Sequence, residues 1–150
     1  MLCRKCGLIL LSPRMIEKEY SKFYSSDFYR LCYEGENYLE ICKRKYSIHT
    51  GQHIFDEISK VKAIDSRTSV LEFGAGGGWN LLPFIKAGGK CTGIDYSHEL
   101  VELGKLYGIN MIHGGIEDIK GNYDIIILNH VLEHFLNPIK SLKTNSNSFV

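Results

Sequence analysis

A glycine-rich segment follows a short apolar run in the middle of the sequence. It reads Glu72-Phe73-Gly74-Ala75-Gly76-Gly77-Gly78-Trp79, with glycine at every second position after the acidic residue. Glycine tolerates positive φ angles and lets a ligand approach the backbone closely, and a helix that begins after such a turn presents free N–H groups. The segment therefore predicts a turn between a strand and a helix on which a small ligand lies.

Asp95 stands 21 residues after Gly74, at the end of the next apolar run. A carboxylate at the end of a second strand can accept hydrogen bonds from both hydroxyls of a ribose. Dinucleotide-binding enzymes also place an acidic residue there, but their third glycine would fall at position 79, where this chain has Trp79. The lysine of a phosphate-binding P-loop is missing as well. The spacing thus indicates a ribose-containing ligand, and Trp79 argues against a dinucleotide.

The alternating glycines resemble motif I of the class I S-adenosylmethionine-dependent methyltransferases. A second stretch, Tyr123-Asp124-Ile125-Ile126-Ile127-Leu128-Asn129-His130-Val131-Leu132-Glu133-His134-Phe135-Leu136-Asn137-Pro138, resembles the segment that follows motif II in one branch of that family. Together the matches cover residues 69–140. The resemblance implies methyl transfer from S-adenosylmethionine to a small-molecule acceptor of the sugar, polyketide or lipid-precursor class.

The resemblance also implies which residues form the two halves of the site. It places the cofactor on Glu72, Gly74, Ala75, Gly76, Gly78, Asp95, Tyr96, Ile116, Glu117 and Asn129. It places His130 over the methionine part as well, and it turns Glu133 and His134 toward the acceptor. Because an imidazole takes up a proton near neutral pH, His134 and His130 are the candidate catalytic bases. Glu133 is a further catalytic candidate, or it braces the adjacent loop.

The chain departs from the family pattern at the adenine. Many relatives carry Gly-Asp after the third strand, and that Asp accepts from the adenine amino group, whereas this chain reads Gly114-Gly115-Ile116-Glu117-Asp118. We expect the backbone N–H of Ile116 to serve a ring nitrogen. Glu117 or Asp118 would then supply the acceptor that Gly115 lacks.

Two groups of residues have some features of a metal site. His130-x-x-Glu133-His134 places three donors close together, but relatives that bind a metal usually have Glu where His130 stands, so we predict no metal there. Cys3-x-x-Cys6-Gly7 resembles the second half of a zinc ribbon that precedes the methyltransferase domain in one bacterial branch. Two thiolates cannot close a tetrahedral zinc site. Cys3 and Cys6 are therefore only candidates for zinc ligands. We interpret the pair as a vestigial or cut zinc knuckle.

The composition is that of an ordinary folded domain. Of 150 residues, 44% are hydrophobic and 23% are charged, and 18 Lys and Arg balance 17 Asp and Glu to a formal net charge of +1. Such a balance creates no field that attracts nucleic acid or an anionic membrane. The longest strongly apolar runs are too short to span a bilayer or to form the core of a secretory signal. We predict a cytoplasmic protein with no nucleic-acid or membrane partner.

Strands and helices alternate after residue 65. Apolar runs predict four strands, at 69–73, 91–94, 109–113 and 123–128, and the segments at 79–87 and 97–107 predict helices. This order predicts an α/β fold, a Rossmann-like doubly wound parallel sheet with helices on both faces. Before the sheet, residues 37–64 show helical spacing, which indicates one long helix or two helices with a break near Gly51.

We predict two regions in the chain. Residues 1–36 form a partial zinc-ribbon-like knuckle and an aromatic cap, and residues 37–150 form a methyltransferase domain. A further strand begins at Phe149-Val150, so we expect this domain to lack its C-terminal strands and the chain to be truncated at both ends. The fourth strand would then be an open apolar edge through which copies self-associate. Two alternatives stay open, a catalytically silent S-adenosylmethionine-binding fragment and a nicotinamide-dependent oxidoreductase.

Overall fold

Among the residues that the structure describes, four parallel strands form one sheet. They are β1 (Ser69–Phe73), β2 (Lys90–Asp95), β3 (Met111–His113) and β4 (Ile125–Ile127), in the spatial order β3-β2-β1-β4. The computed structural model describes residues 2–7, 9, 16–24 and 38–144. The predicted Rossmann-like parallel sheet is confirmed. The predicted strand at Phe149-Val150, residues 25–36 of the predicted cap and Cys32 lie outside the described residues.

The strand order places a crevice above β1 and β4. The chain steps from β1 to β2 and β3 in one direction and then returns to β4 on the other side of β1, where Val70 lies opposite Ile125. Loops that leave neighbouring strands in opposite directions separate at such a switch point, and ligands of open α/β sheets bind there. The fold thus fixes the place of the site at the carboxyl ends of β1, β2 and β4.

Six helices are present in the part of the chain that the structure describes. They are α1 (Glu17–Tyr24), α2 (Tyr38–Ser47), α3 (Gln52–Ser59), α4 (Leu82–Lys86), α5 (His98–Leu106) and α6 (Pro138–Thr144). Short 3-10 turns lie at Trp79–Leu81, Ile116–Asp118 and Leu132–His134. No helix in the described ranges combines the length and apolar character that crossing a membrane requires.

The structure resolves the helical choices that the sequence left open. Residues 38–59 form two helices, α2 and α3, and the turn between them contains His49 with a positive φ of 51° and Gly51, where a Cβ would overlap the backbone of Asn80. Ser97 caps α5 as predicted, since its Oγ accepts from the N–H of Leu100 at 3.4 Å. The helix predicted at 79–87 is found at residues 79–86, with a 3-10 turn over Trp79–Leu81 followed directly by the five-residue α4, whose first turn contains Pro83.

Apolar side chains cover both faces of the sheet because successive strand residues point to opposite sides. On one side Val70 packs in a cluster with Phe84, Val101 and Tyr46, which come from α4, α5 and α2. On the other side Phe73, Ile94 and Val131 form a second buried cluster, beneath the turns that follow β3 and β4. Among the described strands β4 is an edge strand, because it pairs with β1 alone. Self-association through this edge stays a prediction.

Candidate functional site

A cleft of about 800 Å³ opens at the carboxyl ends of the strands. The loop after β1 forms one wall with Gly74, Ala75 and Gly76, and Asp95 and Asn129 reach the cleft from the ends of β2 and β4. Ligand pockets of roughly 300 to 1,000 Å³ are usual for small molecules and cofactors. The cleft is therefore large enough for a nucleoside-containing ligand and an acceptor.

The glycine loop needs glycine for two separate reasons. Gly74 and Gly76 have φ angles of 67° and 57°, which lie in the left-handed region that side chains disfavour. In addition, a Cβ on Gly74 would overlap the side chain of Val131, and a Cβ on Gly76 would lie 2.6 Å from Cη2 of Trp79. The loop is thus packed closely against Val131 and Trp79. Its glycines leave the backbone exposed along the cleft wall, without side chains between it and a ligand.

Asp95 joins the glycine loop to the start of α5. Its Oδ2 accepts from the N–H of Gly76 at 2.7 Å, and its Oδ1 accepts from the N–H of Ser97 at 2.8 Å. Burial raises the pKa of the Asp95 carboxyl, while these two hydrogen bonds oppose the rise. The backbone N–H of Tyr96 also bonds to the carboxylate, and because a carboxylate has about four acceptor positions, capacity remains for a ligand. The carboxylate lines the cleft and suits a pair of ribose hydroxyls.

Glu72 lies behind the cleft wall and does not line it. Its side chain is 1% exposed, its Oε1 accepts from Nδ2 of Asn80 at 2.7 Å, and its Oε2 has no hydrogen-bond partner among the described residues. Burial raises the pKa of Glu72 to about 8; the bond from Asn80 opposes this rise and the charge of Asp95 adds to it. Asn80 itself lines the cleft, so Glu72 reaches the site through Asn80. Gly78 also lies away from the cleft, against Met111.

Asp118 and Glu117, the two acidic residues considered as acceptors for the adenine amino group, have different environments in the structure. Asp118 is engaged in the turn, since its Oδ2 accepts from the N–H of Gly115 at 2.9 Å. Both carboxylate oxygens of Glu117 lie 2.6 Å from the position that a Cβ on Gly115 would occupy. Glu117 also lines the cleft together with Ile116 and Tyr96. The Glu117 carboxylate thus lies close to where the family pattern has an Asp side chain.

Two histidines that follow β4, His130 and His134, line the cleft. His130 has a positive φ of 54°, its side chain is 87% exposed, and its Nδ1 lies 3.7 Å from Oε1 of Glu133. The ring of His134 packs edge-on against Tyr24 of α1, with 5.8 Å between ring centroids. Glu133 does not line the cleft, and its side chain lies near the ring of His130 instead.

Comparison with known proteins identifies the family. Residues 43–148 match a family model described as a methyltransferase domain. The chain belongs to this methyltransferase family. It is 26% identical over 127 residues to the ubiquinone biosynthesis O-methyltransferase of Rickettsia akari, which covers 75% of this chain and 46% of the relative. The chain spans about half the length of the curated relatives it matches.

Solved methyltransferase structures share the fold. Magnesium protoporphyrin IX methyltransferase from Synechocystis PCC 6803, solved with bound S-adenosylmethionine, superposes with a TM-score of 0.60 at 17% identity and covers 89% of this chain and 74% of that protein. The plantazolicin methyltransferase BpumL, in complex with S-adenosylhomocysteine, has a TM-score of 0.54 at 21% identity and covers 87% and 55%. The class I methyltransferase fold implied by the sequence is confirmed.

The cleft of this methyltransferase domain also contains residues that spacing along the chain does not indicate, among them Lys45, Asn80 and Trp79. Lys45 lies on α2, beside Tyr46, whose hydroxyl donates to the carbonyl of Gly77 at 2.7 Å. The spacing of the apolar residues in α2 predicts which face of the helix is buried. It does not predict that this face packs against the glycine loop. Trp79 is visible in the sequence only as a departure from the dinucleotide pattern, although its ring supports the glycine loop.

The candidate metal ligands are not gathered into a site in the described part of the domain. There, no group of three or more His, Cys, Asp or Glu side chains is placed to hold an ion. Cys3 and Cys6 lie in a turn closed by a hydrogen bond of 2.9 Å from the N–H of Gly7 to the carbonyl of Cys3. Hydrogen bonds from the backbone of Cys6 and Lys5 lower the pKa of the Cys3 thiol. Zinc binding by this pair stays a prediction.

Proposed function

We propose that this chain is an S-adenosylmethionine-dependent methyltransferase domain that methylates a small molecule of the sugar, polyketide or lipid-precursor class. The position of Asp95 is the observation that carries the proposal. Its partly buried carboxylate lies at the end of β2, beside the glycine loop, and lines the cleft. The S-adenosylmethionine and S-adenosylhomocysteine in the two solved relatives support the same cofactor.

Each part of the cofactor has a matching group in the cleft. Asp95 would accept from the ribose hydroxyls, the backbone of Gly74 and Gly76 would pass beneath the ligand, and Glu117 would accept from the adenine amino group. Asn129, at the end of β4, would contact the methionine part. When bound, S-adenosylmethionine supplies a methyl group on a sulfonium, which is a strong electrophile. The protein has therefore mainly to orient the acceptor and to remove its proton.

His134 is our candidate for the base that removes this proton. It lines the cleft and is oriented by the ring of Tyr24, whereas His130 lies in an exposed turn near Glu133. Replacing His134 with Gln is expected to lower the rate of methyl transfer by about 100-fold or more, the usual contribution of a positioned base. The rate would be measured with the acceptor identified from a panel of hydroxylated sugars, polyketides and lipid precursors. His130→Gln is the comparison, and equal rates for His134→Gln and the wild type would exclude the role.

Titration calorimetry with S-adenosylhomocysteine and NAD, side by side, tests the proposed function. S-adenosylhomocysteine is expected to bind and NAD is not, because the ring of Trp79 stands where a dinucleotide fold needs glycine. Trp79 is the only tryptophan in the sequence and lines the cleft, so its fluorescence gives a second signal for the same titration. Binding of NAD alone would favour the oxidoreductase. Binding of S-adenosylhomocysteine without methyl transfer to any acceptor would favour the silent fragment.

Replacement of Glu117 with Gln is expected to reduce discrimination between adenine and hypoxanthine. The carboxylate accepts from the 6-amino group of adenine, whereas the Gln amide can also donate to the 6-oxo group of hypoxanthine. The preference for S-adenosylhomocysteine over S-inosylhomocysteine should fall about tenfold, which corresponds to one charge-assisted hydrogen bond. Asp118→Asn is the matched control, because Asp118 is engaged in the turn. If that control lowers the ratio and Glu117→Gln does not, the adenine assignment is wrong.

A further inference from the structure

His130 bends the chain shortly after β4 ends. Its φ angle is 54°, a left-handed conformation that only one other non-glycine residue in the described ranges adopts, His49. L side chains disfavour this region because the Cβ approaches a backbone carbonyl oxygen, although His, Asn and Asp occupy it more often than other residues do. Such a conformation persists where the surrounding structure holds it in place.

Two apolar residues on either side of the bend hold it. Leu128 and Val131 pack into the same cluster, with Phe73 and Ile94. In a continuing strand, residues three apart point to opposite faces, so Val131 would point away from this cluster. The bend turns Val131 back into the cluster, where it is 9% exposed and its Cγ2 occupies the space beside Gly74. The loop after β4 therefore packs on the glycine loop.

The imidazole of His130 lines the cleft but is largely in solvent. Its side chain is 87% exposed, and its Nδ1 lies 3.7 Å from Oε1 of Glu133, an ion pair only when the ring is protonated. Exposed pairs of this kind contribute little to stability. The backbone of the bend, in contrast, lies between Asn129 and Val131, which both line the cleft. The conformation of His130 thus determines more of the site than its ring does.

We propose that His130 is a positioning residue that acts through its backbone, an assignment that rests on the proposed function. Its left-handed conformation directs Asn129 toward the cofactor and packs Val131 against the glycine loop. The imidazole is not required for either task, so another residue that accepts a positive φ can replace it. A residue that disfavours this φ shifts the loop away from the form that binds the cofactor.

Four variants that all lack the imidazole test the assignment. Glycine adopts a positive φ freely and Asn tolerates it, so His130→Gly and His130→Asn should bind S-adenosylhomocysteine within about twofold of the wild type. The β-branched side chain in His130→Val disfavours this φ, and we expect the affinity to fall about tenfold. His130→Ala should lie between these variants, and it serves instead if His130→Val does not fold. Titration calorimetry measures each affinity.

A second substitution shows whether the effect reaches the cofactor through Asn129. Asn129→Ala is expected to weaken S-adenosylhomocysteine by the same factor in the wild type and in His130→Gly, about fivefold for one hydrogen bond. In His130→Val the side chain of Asn129 is already displaced, so the same substitution should weaken binding much less. Equal effects in all three backgrounds would overturn the role of His130 in positioning Asn129.

His49 provides a matched control. Its φ is 51°, but it lies in the turn between α2 and α3 and does not line the cleft. His49→Val should therefore lower the free energy of unfolding in urea, as His130→Val does, and leave the affinity unchanged. A similar loss of affinity in both variants, or equal affinities in His130→Gly and His130→Val, would overturn the role of His130 and leave the proposed function standing. A wild-type chain that binds no S-adenosylhomocysteine would overturn both.

Discussion

Replacing Asp95 with Ala is expected to weaken binding of S-adenosylhomocysteine by about 1.5 to 3 kcal/mol, the range for hydrogen bonds to a charged group. The loss has two sources. The ribose hydroxyls lose their acceptor, and the N–H groups of Gly76 and Ser97 lose the carboxylate that joins them. Calorimetry on the folded variant measures the affinity, and 5′-methylthioadenosine should weaken in parallel because it carries the same ribose.

Asp95→Asn separates the two sources of this loss. The amide keeps one oxygen that can accept from either backbone N–H, so the loop is less disturbed, but the second acceptor is gone. An affinity between those of the wild type and Asp95→Ala is expected. Glu102→Ala is the matched control, because Glu102 is an exposed carboxylate on α5 paired with Lys105. Unchanged affinity in Asp95→Ala would remove Asp95 from the site and leave the proposed function without its main support.

Glu72→Gln is expected to stabilise the domain at pH 8 and above. The pKa of Glu72 is raised from 4.5 to about 8 in the folded protein, so the folded state holds a proton that the unfolded state releases. Stability from this group is fully present below pH 4.5 and is lost as the pH rises to about 8. A neutral Gln has no such loss, and its advantage at alkaline pH should reach about 5 kcal/mol.

Urea unfolding at pH 5, 7 and 9 measures this difference. The free energies of unfolding of the wild type and Glu72→Gln should be similar at pH 5 and should diverge toward pH 9. Glu72→Ala is the control, because it removes the acceptor of Asn80 and leaves a cavity, and should be destabilised at every pH. Parallel profiles for the wild type and Glu72→Gln would mean that Glu72 is ionised in the folded protein throughout this range.

Local pattern predicts the centre of the sheet well and its outer strands less well. The sequence predicts β1 at 69–73, where the structure has Ser69–Phe73, because a buried apolar run between turns has few other conformations. β3 is predicted at 109–113 but begins at Met111, since the N–H of Ile109 donates to the carbonyl of Gly104 at the end of α5. β4 begins at Ile125, two residues later than predicted, and Asp124 before it binds Ser69 through both its backbone N–H and its carboxylate. Pairing partners therefore set these strand ends.

The sequence by itself determined the glycine loop, the acidic residue after β2 and the family, because these depend on residue types at fixed spacing along one strand–turn–helix unit. The tertiary structure alone decided which predicted residues reach the cleft. It placed Glu72 behind Asn80, engaged Asp118 in its turn and brought Lys45 onto Trp79. Burial and contacts between distant segments set the pKa and the position of a side chain, and neither follows from spacing along the chain.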